Sequence, residues 1–91
     1  VLAGGQTLMP MLSMRLARPK VVVDVMHVQD LRKIEDQSRS IRVGAGVRQA
    51  ELLDWPDLPA RQPLLAAALP WVGHAQTRSR GTVCGSTAHA D

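Results

Sequence analysis

The 91-residue sequence has no tyrosine or phenylalanine, a single cysteine, and only two tryptophans, Trp55 and Trp71. One thiol, Cys84, excludes an intrachain disulfide framework and suits a reducing compartment, hence an expectation of a cytoplasmic protein. It equally excludes an iron–sulfur cluster held within this chain, because such clusters take about four thiolates. No apolar run approaches the roughly 18 residues that would suggest a membrane span. A charged start followed by an apolar segment, the mark of a signal peptide, is also missing. The net charge of +3 and pI near 10.0 raise nucleic acid as a partner. The basic residues are scattered, however: Arg15, Arg18 and Lys20, then Arg32 and Lys33, then Arg78 and Arg80. With so few aromatics to stack bases beside them, nucleic-acid binding is not expected.

What remains is a globular composition, 45% hydrophobic and 21% charged, of a size for one domain at most. Val1-Leu2-Ala3 reads as the end of a buried strand, and Asp91 follows directly on a motif. Both ends are therefore expected to belong to something longer. Apolar residues at 8, 9, 11, 12, 14 and 16 predict a short amphipathic helix with Pro10 in its first turn, stopped by Pro19. Lys20 to Val25 is a β-branched run that predicts a strand buried on both faces. A helical turn at Val28–Leu31, a weak strand from Ile34, a polar turn at Asp36–Ser40 and a strand at Ile41–Ala45 follow. Arg48–Asp54 predicts a helix, Pro56, Pro59 and Pro63 a loop, and Leu64–Leu69 a further helix stopped by Pro70 and Gly73. Gln76–Asp91, rich in Gly, Ser, Thr and Ala, predicts backbone laid against a ligand. Strands interleaved with short helices give an α+β (α/β) class.

Two small-residue turns carry the chemistry. Ala3-Gly4-Gly5-Gln6-Thr7 lies between a strand end and a helix start, where glycines permit positive φ and close approach of a ligand. Free N–H groups there favour an anion, and Thr7 stands at the expected N-cap. No Lys-Ser/Thr pair follows, so this is not a Walker loop, and a third glycine with a downstream acid is absent, so it is not the dinucleotide fingerprint. A lone Gly-Gly turn is more often a plain connection than a phosphate site. The second turn, Gly81-Thr82-Val83-Cys84-Gly85-Ser86, again offers backbone donors and hydroxyls, with Arg78 and Arg80 as cationic neighbours suited to a diphosphate. Taken alone it reads as a surface loop. Two such turns gripping one diphosphate from two sides would hold an extended dinucleotide.

Together these stretches resemble the flavin-carrying (medium) subunit of molybdenum hydroxylases of the carbon monoxide dehydrogenase and xanthine dehydrogenase type. Ala3–Ala17 is similar to the first FAD motif, Val43–Gln49 to the strand-turn-helix that follows, Pro63–Pro70 to the next helix, and Gly73–Asp91 to the second FAD motif. The resemblance is collinear and covers the whole chain. It implies a partial FAD-binding domain over residues 1–91, of the two-subdomain p-cresol methylhydroxylase-type fold and incomplete at both ends. It implies FAD as cofactor, with Ala3, Gly4, Gly5, Gln6 and Thr7 on the pyrophosphate. Thr82, Val83, Cys84, Gly85 and Ser86 would complete the cradle, and Val72 would line the flavin or adenine pocket. It implies a hetero-oligomer with a molybdopterin-binding large subunit and a 2Fe-2S small subunit, the chain serving as the flavin station for electron transfer. Relatives carry a glycine pair where this chain has Cys84-Gly85. If the first position needs positive φ, cysteine costs on the order of 1–2 kcal/mol there; if it needs only to be small, cysteine fits.

Blander and sharper readings stand beside these. Cys84 as a redox thiol is outweighed by Cys84 as a small packing residue. A metal site of Cys84, His89, Asp91 and His74 matches no dense ligand spacing, and His27 reads as a strand-end residue. Met9, Met11 and Met14 read as core packing. No nucleophile–base–acid motif surrounds any serine, so no catalytic side chain is assigned. Two rivals remain: a different flavoenzyme of the same fold, and a flavin-free scaffold that keeps the fold.

Overall fold

The computed structural model describes residues 1–90. Short helices dominate, as expected of a chain punctuated by proline and glycine. The order is α1 (Leu8–Ser13), a 3-10 turn (Gln29–Arg32), β1 (Ile34–Asp36), β2 (Ile41–Val43), α2 (Gln49–Leu53), α3 (Leu58–Arg61), α4 (Pro63–Ala68), a 3-10 turn (Leu69–Trp71), α5 (Ala75–Arg80) and α6 (Val83–His89). The strands form one antiparallel hairpin in which Ile34 faces Val43 and Asp36 faces Ile41. Its turn is closed by Ser38 N–H donating to Asp36 Oδ1 at 3.0 Å. Arg61 Nη2 reaches Asp36 Oδ1 at 2.9 Å and so ties α3 to the hairpin.

The core is small and lies under the second half of the chain. Val47, Leu52 and Leu58 are fully buried and Leu69 nearly so, with Ile34, Ile41, Val43, Leu53, Trp55, Leu65, Ala66 and Val83 packed around them. Leu52 comes from α2, Leu58 from α3, and Leu69 from the 3-10 turn that follows α4, so three short elements converge on one apolar cluster. None of these helices is long enough to be stable alone; tertiary packing supplies their stability.

Four readings of the sequence are corrected. Within residues 1–90 the valine run forms no regular strand: its one ladder contact is the isolated parallel bridge of Asp24 to Leu2, and Val21, Val22 and Val23 are left 42–74% exposed. Their apolar character reads identically whether or not a partner covers it. Thr7 occupies the N-cap position of α1 but in helical φ/ψ, and its side chain makes no capping bond. The proline-rich loop holds α3, because Pro59 falls at the start of the helix, where its missing N–H costs nothing. Most consequentially, the stretch read as backbone beside a ligand, with no secondary structure assigned, folds as two helices, α5 and α6, with a sharp turn at Gly81-Thr82 between them. Small residues are compatible with helix and loop alike, and the composition alone did not distinguish them. Among the described residues, no helix is long and apolar enough to cross a membrane.

Candidate functional site

The two turns meet. Gly4 lies so close to the end of α5 that a Cβ on it would overlap the Arg80 carbonyl oxygen and stand 2.7 Å from Gly81 Cα. No residue but glycine fits there without displacing backbone. Gly5 adopts φ +75°, which turns the chain into α1, whose first bond runs from Met9 N–H to Gly5 O at 3.1 Å. On the other side, Gly81 O accepts from Gln49 N–H at 2.9 Å, and Val83 N–H donates to Val47 O at 3.2 Å. These two bonds clamp Thr82 in an antiparallel bridge with Arg48. Thr82 is 3% exposed, and its Oγ1 accepts from Gly85 N–H at 3.0 Å, capping α6. A Cβ at 85 would come within 2.7 Å of that hydroxyl oxygen, so glycine there leaves the Thr82 side chain in place.

Between the turns opens a cavity of about 500 Å³. Ala3, Gly4, Gly5, Gln6 and Thr7 line it from the first turn, Thr82, Cys84, Gly85 and Ser86 from the second, and Val72 also faces it. Ten of the eleven residues expected from the sequence are thus brought together. Val83 is the exception: it does not line the cavity and packs against the buried core. It alternates with Thr82 and Cys84 at the start of α6, where adjacent side chains diverge.

The arginines are a further correction. Neither Arg78 nor Arg80 lines the cavity. Arg78 Nη1 donates instead to the carbonyls of Pro70 (2.9 Å), Val72 (3.2 Å) and Gly73 (3.0 Å). Cys84, for its part, has no positive φ, so the strain considered for it is absent. It sits in the first turn of α6 with Sγ 3.5 Å from Val43 O, consistent with a small packing residue. Among the described residues no three His, Cys, Asp or Glu side chains are grouped to hold a metal ion. His89 lines the cavity, and Asp91 lies outside the described residues.

The lining suits a phosphate-bearing dinucleotide. The N–H groups of Gly4 to Leu8 donate to no backbone carbonyl among the described residues, nor do those of Thr82 and Cys84. Unpaired amides at two facing bends are anion-seeking. No aspartate or glutamate among the described residues lines the cavity, so nothing there repels a phosphate by charge. Sequence reasoning missed Gln49, which lines the cavity, is 5% exposed, and holds a buried side-chain Oε1 with no hydrogen-bond partner. An orphaned amide oxygen at a cavity wall is a group that a ligand donor would satisfy. Its only sequence signal is its place at the end of Val43–Gln49, a stretch read as scaffold.

A small-residue cradle of two facing turns, closed by short helices over a hairpin, defines a cofactor-binding α+β domain. The chain belongs to the family described as the FAD binding domain in molybdopterin dehydrogenase, whose profile matches residues 1–91. It is 41% identical to the 6-hydroxypseudooxynicotine dehydrogenase complex subunit alpha of Paenarthrobacter nicotinovorans, over 100% of this chain and 31% of that protein. It is 37% identical to the carbon monoxide dehydrogenase medium chain of Hydrogenophaga pseudoflava, over 98% of this chain and 31% of that one. Among solved structures, carbon monoxide dehydrogenase from Hydrogenophaga pseudoflava superposes with a TM-score of 0.91 at 38% identity, over 99% of this chain and 31% of that one. Quinoline 2-oxidoreductase from Pseudomonas putida 86 gives 0.92 at 39% identity, over 99% of this chain and 32% of that one. The chain therefore spans about a third of the length of these relatives. The α+β class and the fold of the FAD-binding domain of carbon monoxide dehydrogenase are as the sequence led one to expect, and the cofactor of the family is FAD.

Proposed function

We propose that this chain is a partial FAD-binding domain, residues 1–91, of the flavin subunit of a multi-subunit molybdenum hydroxylase. In this reading the backbone N–H groups of Gly4 to Thr7, Thr82 and Cys84 and the Ser86 hydroxyl hold the FAD pyrophosphate, Ala3 and Gly85 shape the cradle around it, and Val72 contacts a ring of the cofactor. The observation that carries it is the convergence of two turns, some 80 residues apart in sequence, on one cavity of about 500 Å³. When bound, FAD supplies the redox chemistry, taking electrons from iron–sulfur clusters and releasing them to an acceptor. The chain's own part is to bind and orient. Gly4 lets the walls approach, Gly5 turns the chain, and Thr82 fixes the start of α6. Val83 packs against the core and takes no part in binding.

The partners in this reading are a molybdopterin-binding large subunit and a 2Fe-2S small subunit, in a cytoplasmic complex. Support comes from the names of the relatives, a complex subunit alpha and a medium chain. Relatives named for 6-hydroxypseudooxynicotine, carbon monoxide and quinoline resemble this domain at comparable identity, 37–41%. Substrate choice therefore belongs outside this domain. The test is titration of the flavin-stripped full-length protein with FAD, followed by flavin fluorescence and the visible bands. Saturation at one equivalent is expected, with chemical reduction bleaching the bound flavin. Full-length protein that neither purifies with FAD nor takes it up would overturn the reading.

A further inference from the structure

Val72 lines the cavity without belonging to a helix or strand. It follows the 3-10 turn Leu69–Trp71 with extended backbone, precedes Gly73 at φ +59°, and is 38% exposed. Core packing does not fix it, and its position depends on what holds residues 70–73.

Val72 N–H bonds Leu69 O at 3.1 Å, and one side chain holds the carbonyls of the segment. Arg78 Nη1 stands 2.9 Å from Pro70 O, 3.2 Å from Val72 O and 3.0 Å from Gly73 O. That nitrogen carries two hydrogens, so three acceptors share them. The negative ends of three carbonyl dipoles are gathered on one cation, a charge-assisted arrangement stronger than neutral bonds. Arg78 belongs to α5, whose next residues deliver the second turn: Gly81 N–H bonds Thr77 O at 2.7 Å, and Gly81 O holds Gln49 N–H. Gly73 also packs against Thr77, where a Cβ would lie 3.4 Å from the threonine side chain. The guanidinium thus links the segment bearing Val72 to the helix that leads into Thr82.

We propose that Arg78 is a positioning residue of the cofactor cavity. It sets where Val72 stands relative to the Thr82–Ser86 wall and does not itself meet the phosphates. The inference rests on the FAD reading above. Because the three bonds converge on one nitrogen, a lysine ammonium can reproduce part of them, though its stem is shorter; methionine can reproduce none.

The experiment compares wild type, R78K, R78M, V72A and the R78M/V72A double variant of the full-length protein. It measures FAD dissociation constants, visible circular dichroism of the bound flavin, and melting of the flavin-free forms. R78M is expected to weaken FAD binding roughly tenfold and to alter the flavin dichroism, with R78K between it and wild type. In the V72A background R78M should add little, about twofold or less, because the side chain it positions has been cut back. Three results count against the proposal alone: R78M binding FAD as wild type does; R78M weakening binding equally with and without Val72, as a general loss of structure would; or R78K matching wild type while binding by R78M alone becomes insensitive to salt, as a phosphate contact would give. Wild-type protein that binds no FAD removes the proposal together with the reading beneath it.

Discussion

Replacing Gly4 with alanine tests the meeting of the two turns most directly. The added Cβ would overlap the Arg80 carbonyl oxygen and lie 2.7 Å from Gly81 Cα and 2.9 Å from Arg80 C. Ordinary carbon–carbon contact is about 3.5–4.0 Å, so relief requires the turns to part by about 1 Å. Neither side yields readily. Arg80-Gly81 is held by the Gly81 bonds to Thr77 and Gln49, and the first turn by Leu2 N–H to Val23 O at 2.7 Å and Val25 N–H to Leu2 O at 2.9 Å. Overpacking of this kind costs about 1–3 kcal/mol of stability.

The larger consequence falls on the ligand. Walls that part by an ångström carry some donors out of hydrogen-bond range of a diphosphate held between them. A hydrogen bond to a charged group contributes about 1.5–3 kcal/mol, so losing even one weakens FAD about tenfold to 100-fold. The assay is titration of flavin-stripped G4A and wild-type full-length protein with FAD, alongside thermal melts of both. A folded G4A protein that binds FAD as tightly as wild type would refute the claim that the two turns act on one ligand.

Two further substitutions probe the start of α6. T82V should remove the acceptor for Gly85 N–H and lower stability by about 0.5–2 kcal/mol, while T82S keeps it; equal melting temperatures for the two would sink the capping role. C84G puts back the glycine that the family resemblance leads one to expect, yet it should destabilise by about 0.5–1 kcal/mol, because Cys84 is helical and gains nothing from glycine's freedom. C84A should be near neutral, its lost Sγ contacts being long (3.5 and 3.8 Å); a C84G protein more stable than wild type by chemical denaturation would contradict that backbone assignment.

Much of this was legible in the sequence, for physical reasons. The hairpin could be read because Ile34, Ile41 and Val43 flank a polar Asp36–Ser40 turn. The first site turn could be read because its glycine pair joins Val1-Leu2-Ala3 to an apolar helix and has a second small-residue turn to pair with; alone it reads as a plain connection. What escaped was whatever depends on partners distant in sequence. The valine run reads as a strand, and nothing in its composition says that within these residues it meets only a single bridge. Helices α5 and α6 carry almost no apolar stripe because they bury little: no residue in either is fully buried. The arginines were read by proximity in sequence to the second turn, but side chains two residues apart on a helix leave it about 200° apart, and neither lines the cavity. Gln49 could not have been singled out, since a buried amide is marked only by the absence of a partner.

The arrangement also explains why a site so poor in charged side chains can be firm. Thr82 is flanked by backbone bonds to residues 47 and 49, and Val47 is among the most buried residues of the chain. Val83 points into that same cluster while its neighbours Thr82 and Cys84 face the cavity. Cradle and core are consequently two sides of one short stretch of backbone. A wall anchored in this way is ordered with no ligand to hold it, so binding need not supply the cost of ordering it. Gly4, Gly5 and Gly85 then complete the design by leaving space and not by making contacts. Val72 alone among the cavity residues expected from the sequence lies outside both turns, and its placement depends on a guanidinium that gathers three carbonyls.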